Sequence, residues 1–247
     1  MMVTSQSVQN PPSCARPSFG ALNELGLREG LQTLLTGLRW SFLVLTSLLS
    51  LGAVAIAQEA AVTVPPPAVD EQHPAGKAET AVFAGGCYWG TQGLFEHVAG
   101  VQRVVAGMAG NSEPAESVEI TYDPSQITYG QLLQIFFSVA HDPTQLNRQG
   151  PDEGTRYRSD VFYEDDEQKQ IAQAYVNQLK EARVFSASIV TRIDPHAEFH
   201  RVDFSQQDYL IKHPTDDYIV TNDLPKISNL QRMYPSLFRA EPVKYAD

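Results

Sequence analysis

Cysteine is almost missing from this chain: only Cys14 and Cys87 occur among 247 residues. Two thiols cannot build a disulfide framework. With no Cys-x-x-Cys pair, neither a thioredoxin-like redox motif nor a cysteine-based structural zinc site is available. Basic residues are also short, 18 Lys and Arg against 29 Asp and Glu, for a formal net charge of −11. Such a surface repels phosphate backbones and offers no polybasic patch to anionic lipid, so no nucleic-acid partner is expected. No internal repeat is visible, which sets aside solenoid architectures.

Long apolar runs are absent too, with one exception. Trp40 to Ala57 carries no charge, and Arg39 stands just before it. Ala55-Ile56-Ala57 puts small residues where a signal peptidase reads, followed by Gln58, which is the layout of an export signal. Cleavage there removes Cys14 and delivers an exported, periplasmic protein. The other reading is an uncleaved anchor, since the run is close to the minimum spanning length. Residues 40–57 then tether a domain that faces the periplasm. The residues ahead of the run are many for such a signal, and a start codon placed too far upstream is one explanation. Residues 1–57 are therefore read as export signal or membrane anchor with a long N-terminal extension. Residues 58–78, with Pro65-Pro66-Pro67, are read as a flexible linker. Residues 79–247 are the folded domain, about 170 residues and enough for one core.

Within that domain, Thr80 to Ala84 is a short apolar run that ends in Gly85-Gly86, a buried strand and a turn. From Cys87 the apolar spacing becomes helical, with Trp89, Leu94, Phe95 and Val98 on one face and Gly100 as the stop. Val101 to Met108 and Ser117 to Tyr122 are strand-like. Thr128 caps a helix that faces Leu132, Leu133, Ile135 and Phe136 inward. A polar loop, His141 to Gly154, follows. Ser159 to Tyr163 is a strand, Asp165 or Asp166 opens a helix ending near Arg183, and Ser188 to Ile193 is a last core strand. The tail from Phe204 to Asp247 is expected to wrap the core, with an edge strand at Ile219-Val220 and helical turns over Leu230 to Phe238. This order predicts an α+β fold: a ferredoxin-like split β-α-β plait, mainly antiparallel, with helices packed on it and a long wrapping tail.

The stretch Ala84-Gly85-Gly86-Cys87-Tyr88-Trp89-Gly90 carries the chemistry. The glycines let the backbone turn sharply, and Cys87 falls where backbone N–H groups lack partners and the helix dipole favours a negative sulfur. Tyr88 and Trp89 can wall an apolar pocket beside it. On the residues alone, a small buried cysteine among core aromatics is an equally good reading.

This stretch resembles the signature of A-type peptide methionine sulfoxide reductases, where Gly-Cys-Phe/Tyr-Trp-Gly holds the catalytic cysteine. Further segments match in order: Ala115-Glu116-Ser117-Val118, Tyr122-Asp123-Pro124, His141-Asp142-Pro143-Thr144, Leu146 to Asp152, Gly154 to Ser159, and Asn222-Asp223-Leu224-Pro225-Lys226. The resemblance implies that Cys87 attacks the sulfoxide sulfur and that Glu116 protonates the departing oxygen, which requires a carboxyl still protonated near neutrality. It implies that Tyr157 donates to the sulfoxide oxygen, that Asp152 supports the polar side, and that Tyr88 and Trp89 hold the methyl group. His141 is read as loop structure. The implied substrates are oxidised proteins or peptides, through the S epimer of methionine sulfoxide. No bound cofactor or metal is implied. The sulfenic acid left on Cys87 needs a thiol, and no cysteine follows Cys87. Thioredoxin, glutaredoxin or glutathione is therefore expected as external reductant, acting on a monomer.

Two departures stand out. The connection Met108 to Glu116 is shorter than the family's and lacks its second oxygen-side tyrosine. In Asp203-Phe204-Ser205-Gln206, Asp203 stands where the family shows a glutamate, while Ser205 and Gln206 replace an aromatic ring and an imidazole. These changes motivate a second reading, a homologue that only binds oxidised methionine. A third reading, metal binding by His196, His200 and His213, fits no standard ligand spacing.

Overall fold

The computed structural model describes residues 61–72, 77–196 and 198–245. Cys14 and the uncharged run 40–57 lie outside them. Among the described residues, no helix is long and apolar enough to cross a membrane.

The first strand, β1 (Glu79–Gly85), runs into helix α1 (Tyr88–Glu96), which leads to β2 (Val101–Ala109) and β3 (Ala115–Tyr122). Helix α2 (Tyr129–Ile135) follows, then two short paired strands, β4 (Arg148–Gln149) and β5 (Asp152–Glu153). Next come β6 (Ser159–Tyr163), α3 (Asp166–Glu181), β7 (Arg192–Pro195) and β8 (Phe199–Arg201). Helices α4 (Tyr209–Lys212) and α5 (Leu224–Met233) belong to the tail. The main sheet has the order β7-β6-β1-β3-β2-β8. Strand β3 lies antiparallel between β1 and β2, and β6 pairs antiparallel with the other side of β1. That is the predicted split β-α-β plait. Only β7, parallel to β6, breaks the antiparallel pattern.

Alternation along β1 assigns its two faces. Ala81 and Phe83 enter the main core, where the Phe83 ring stacks on Phe136 with centroids 4.9 Å apart. Val82 and Ala84 join a smaller cluster on the opposite face with Ala109, Ala115 and Phe162. Both faces are therefore dry, so a one-residue slip of β1 would exchange packed sets. Helix α1 is buried at all nine positions. The expected single apolar face is replaced by a helix enclosed between sheet and tail, with α4 and α5 both against it. It ends at Glu96, short of Gly100. Gly100 instead supplies the positive φ of the turn into β2.

Thr128 caps α2 as predicted: its hydroxyl accepts from the Gln131 N–H, and the Gln131 side chain returns to the Thr128 N–H, a complete capping box. Asp165 caps α3 by accepting from the Gln168 N–H.

Four expectations are corrected. The last core strand, expected over Ser188 to Ile193, is Arg192–Pro195 and lies half-buried at the sheet edge. The Val190 N–H goes to the Pro143 carbonyl instead of a ladder. Ile219-Val220 forms no edge strand: Ile219–Asp223 is a wide helical turn leading into α5. Two β-branched residues carry little intrinsic preference against packing, and Ile219 is fully buried there. The helical turns expected from Leu230 begin earlier, at Leu224. Finally, residues 61–72 do not form a flexible tether. Val64 is buried, and the Val62 N–H donates to the Ser138 carbonyl. Tyr175 and Gln178 donate to the carbonyls of Pro65 and Pro66. Asp70 accepts from the Thr128 hydroxyl and the Gly130 N–H.

The tail wraps as expected. Ala99 donates to the Leu237 carbonyl, Arg239 to His97, and Val243 to Glu96, each through its backbone N–H.

Candidate active site

The site is built where β1 gives way to α1. Gly86 takes φ +91°, and the Gln149 side chain closes in so tightly that a Cβ at residue 86 would lie 2.6 Å from it. Cys87 follows as the residue flanking the first helical turn, with φ −57° and ψ 127°. It stands one position outside the predicted turn, still against the N–H groups that lack helical partners. Thr91 ties this corner down by donating its hydroxyl to the Cys87 carbonyl at 3.3 Å. Cys87 is buried, with only 3% of its surface exposed.

Glu116 is the second residue of β3, opposite Met108 across the ladder, so both side chains point to the same face. Its carboxyl is completely buried. One oxygen, Oε2, accepts from the backbone N–H of Tyr88 at 3.1 Å, which sets the acid beside the residue that follows Cys87. The other, Oε1, lies 2.7 Å from Arg156 Nη2. Burial pushes Glu116 up to about 7, and Arg156 and the Tyr88 N–H only partly oppose that. A carboxyl with this value can hold and release a proton near neutrality.

Asp152 and Tyr157 come to the same place. Asp152, on β5, is buried and accepts from the Tyr218 hydroxyl; burial raises its carboxyl. Tyr157 sits in a short tight turn, Thr155–Tyr157, which packs on β3. Its phenol is pushed up to about 12 by burial and by Glu116, so it stays a donor, and it makes no hydrogen bond among the described residues. The Arg156 guanidinium lies 5.4 Å from the centroid of its ring.

The aromatic wall extends past Tyr88 and Trp89. The Trp89 indole stacks on Tyr209 at 3.7 Å with an interplanar angle of 7°. Its edge meets Tyr218 at 5.9 Å. Gln206 Oε1 accepts from both Trp89 Nε1, at 3.2 Å, and the Tyr88 hydroxyl, at 3.4 Å. Beneath the wall, Gly90 leaves room for the buried carboxylate of Asp223, which is held 3.6 Å from Lys226.

The structure thus brings together Cys87, Tyr88, Trp89, Glu116, Asp152 and Tyr157. Sequence reasoning missed Arg156, Gln206, Tyr209 and Tyr218. Arg156 lay inside the matched run Gly154 to Ser159, and its place next to Tyr157 was the available signal. Gln206 looked like a loss, yet it anchors two wall residues. Asp203 does not enter the site: it is exposed and accepts from the Ser205 N–H at the start of a short turn. His141 is structural. Its ring bonds the Phe136 carbonyl and Ser159, and burial pushes it down to about 3. His196 and His200 pair with separate glutamates while His213 packs on Tyr209, and no metal-holding cluster exists among the described residues.

A cysteine at a helix start, a buried acid bonded to the next N–H and an aromatic wall, all on an α+β plait, describe a thiol-dependent oxidoreductase. Residues 79–236 match the family model described as peptide methionine sulfoxide reductase, and the chain belongs to that family. It is 52% identical over 189 residues to the peptide methionine sulfoxide reductase MsrA 2 of Mesorhizobium japonicum, covering 71% of this chain and 96% of that one. A Synechocystis relative of the same description is 44% identical over 177 residues, covering 66% and 83%. Among solved structures, reduced Mxr1 from Saccharomyces cerevisiae aligns with a TM-score of 0.50 at 26% identity, covering 60% of this chain and 92% of that one.

Proposed function

We propose that this protein reduces peptide-bound methionine S-sulfoxide to methionine, with the free amino acid sulfoxide as a further candidate substrate, and so repairs oxidised proteins. The observation that carries the reading is Glu116. A fully buried carboxyl, poised at about 7, is held on the N–H of the residue after the only cysteine of the folded domain. The Cys87 thiolate attacks the sulfoxide sulfur, and Glu116 gives its proton to the oxygen. The sulfur–oxygen bond breaks, the hydroxyl ends on the Cys87 sulfur as a sulfenic acid, and the thioether leaves as methionine. Two electrons pass from Cys87 to the substrate. Tyr157 and Asp152 flank the oxygen side, while Tyr88 and Trp89 hold the methyl group. Nothing in this arrangement favours a homologue that only binds.

A first external thiol attacks the sulfenic acid, releasing water and forming a mixed disulfide; a second restores the Cys87 thiol. Thioredoxin, glutaredoxin or glutathione would serve, because no cysteine follows Cys87. The uncharged run before Gln58 supports export as the setting for this repair.

The test is turnover of both sulfoxide epimers of a methionine sulfoxide peptide with dithiothreitol as reductant. Methionine should form from the S epimer alone, and Cys87→Ser should abolish it. Full turnover by that variant overturns the reading.

A further inference from the structure

Against the buried Glu116 carboxyl stands a cation that the reaction so far leaves unused, Arg156, whose side chain is 24% exposed. Arg156 Nη2 lies 2.7 Å from Glu116 Oε1. Its Nε and Nη2 are shut off from solvent and make no well-directed hydrogen bond among the described residues. A guanidinium, always charged, is costly to seal off without a strong acceptor. The acceptor it faces is a carboxyl that burial pushes up to about 7. The pair therefore becomes a full ion pair only when Glu116 loses its proton.

We propose that Arg156 is a positioning residue for the sulfoxide reduction described above: it aims the Glu116 carboxyl and becomes the counter-ion of the carboxylate left once the proton passes to the sulfoxide oxygen. The attraction grows as charge develops on Glu116, so it lowers the barrier more than it stabilises the resting enzyme. No atom beyond those already balanced is required. The proton leaves Glu116 Oε, the electron pair of that O–H bond stays on the carboxylate, and the guanidinium keeps all its protons.

The other groups facing Glu116 do not offer this. Tyr88, Tyr157 and Tyr218 are phenols held protonated by burial, and Asp152 is a carboxyl of the same sign. Cys87 lies on the attacking side, and Met108 across the ladder is uncharged. Among the described residues, Arg156 is the cation that acts on Glu116.

This inference rests on the reductase reading, and the experiment separates the two. Sulfenic acid formation is followed in a single turnover from pH 5 to pH 9, for wild type, Arg156→Gln, Arg156→Lys, Glu116→Gln and Glu116→Gln/Arg156→Gln. Wild type should lose rate as pH rises through about 7, where Glu116 gives up its proton. Arg156→Gln should slow the step about tenfold to a hundredfold at pH 6. It should also move the alkaline limb to higher pH, because the charge that lowers the acid's affinity for its proton is gone. Arg156→Lys, which keeps the charge, should leave the limb in place. In the Glu116→Gln background, removing Arg156 should cost nothing more. A wild type that forms no sulfenic acid sinks the reductase reading itself. A wild type that reacts, with an Arg156→Gln limb superimposed on it or with additive losses in the double variant, overturns the role of Arg156 alone.

Discussion

At the scale of single residues, the site depends on close approaches as much as on chemical groups. Gly90 shows this. In a buried helix, alanine normally gains about 0.5–1 kcal/mol over glycine. Here a Cβ would fall 2.0 Å from Asp223 Oδ1 and 2.6 Å from its Cγ, and Asp223 is completely buried with no room to retreat. Overpacking of this kind costs about 1–3 kcal/mol and shifts backbone. Gly90→Ala should therefore lower Tm in thermal unfolding, against the helix-propensity trend, and reduce activity by displacing the start of α1. Glu116→Gln separates shape from proton. The amide can keep the Tyr88 N–H contact but cannot act as an acid, so kcat should fall about 10²–10⁴-fold with little change in KM. Unchanged kcat would remove Glu116 from the reaction. Cys87, Tyr88 and Trp89 were legible because they are contiguous, and their chemistry follows from a helix start. Glu116, Asp152 and Tyr157 carried no signal of their own and entered through family resemblance. Gln206 was misjudged because its partner Trp89 lies 117 residues away in sequence.

At the scale of elements, the short strand β6 and the capped helix α3 match the sequence expectation almost to the residue. The errors fall where a segment's partner is distant. Ser188 to Thr191 has strand-like composition, but its hydrogen bonds go to the loop at Pro143 and to Ser159. The segment 61–72 reads as linker because prolines leave few donors, yet those prolines offer carbonyls that Tyr175 and Gln178 take. That strap also reinforces α2. Asp70 accepts from both the capping hydroxyl of Thr128 and the Gly130 N–H, so the first turn has two caps in series. Asp70→Ala should cost about 1 kcal/mol in urea unfolding, the usual worth of a helix cap. Since α2 touches the reaction only through the core, kcat should be unchanged. A loss near zero would mean the strap lies on the domain without holding it.

Across the whole molecule, buried carboxyls dominate the pH dependence of folding. Burial pushes Glu116 up to about 7 and Asp160 up to about 6, and raises Glu96 well above its ordinary value of 4.5. Each prefers its proton more in the folded state than in the unfolded chain. Its contribution is full below about pH 4 and is lost as pH rises through the raised value. His141 works in the opposite direction. Pushed down to about 3, it contributes fully above pH 6.5 and loses that contribution as pH falls. Several carboxyls against one imidazole place maximal stability near pH 4, with a decline on the order of a few kcal/mol by pH 8. The surplus of acidic residues pushes the same way through self-repulsion. Glu96 isolates the effect without touching the site. It lies at the far end of α1, and its buried carboxyl faces that of Asp208, which Lys212 and the Tyr245 N–H already hold. Glu96→Gln keeps the shape and removes the charge that must form there as pH rises. Its Tm should exceed that of wild type at pH 8, and the gain should shrink toward pH 5, where Glu96 is already neutral in the folded chain. A Tm gain of equal size at both values would mean that packing, not ionisation, limits this junction between α1 and the tail.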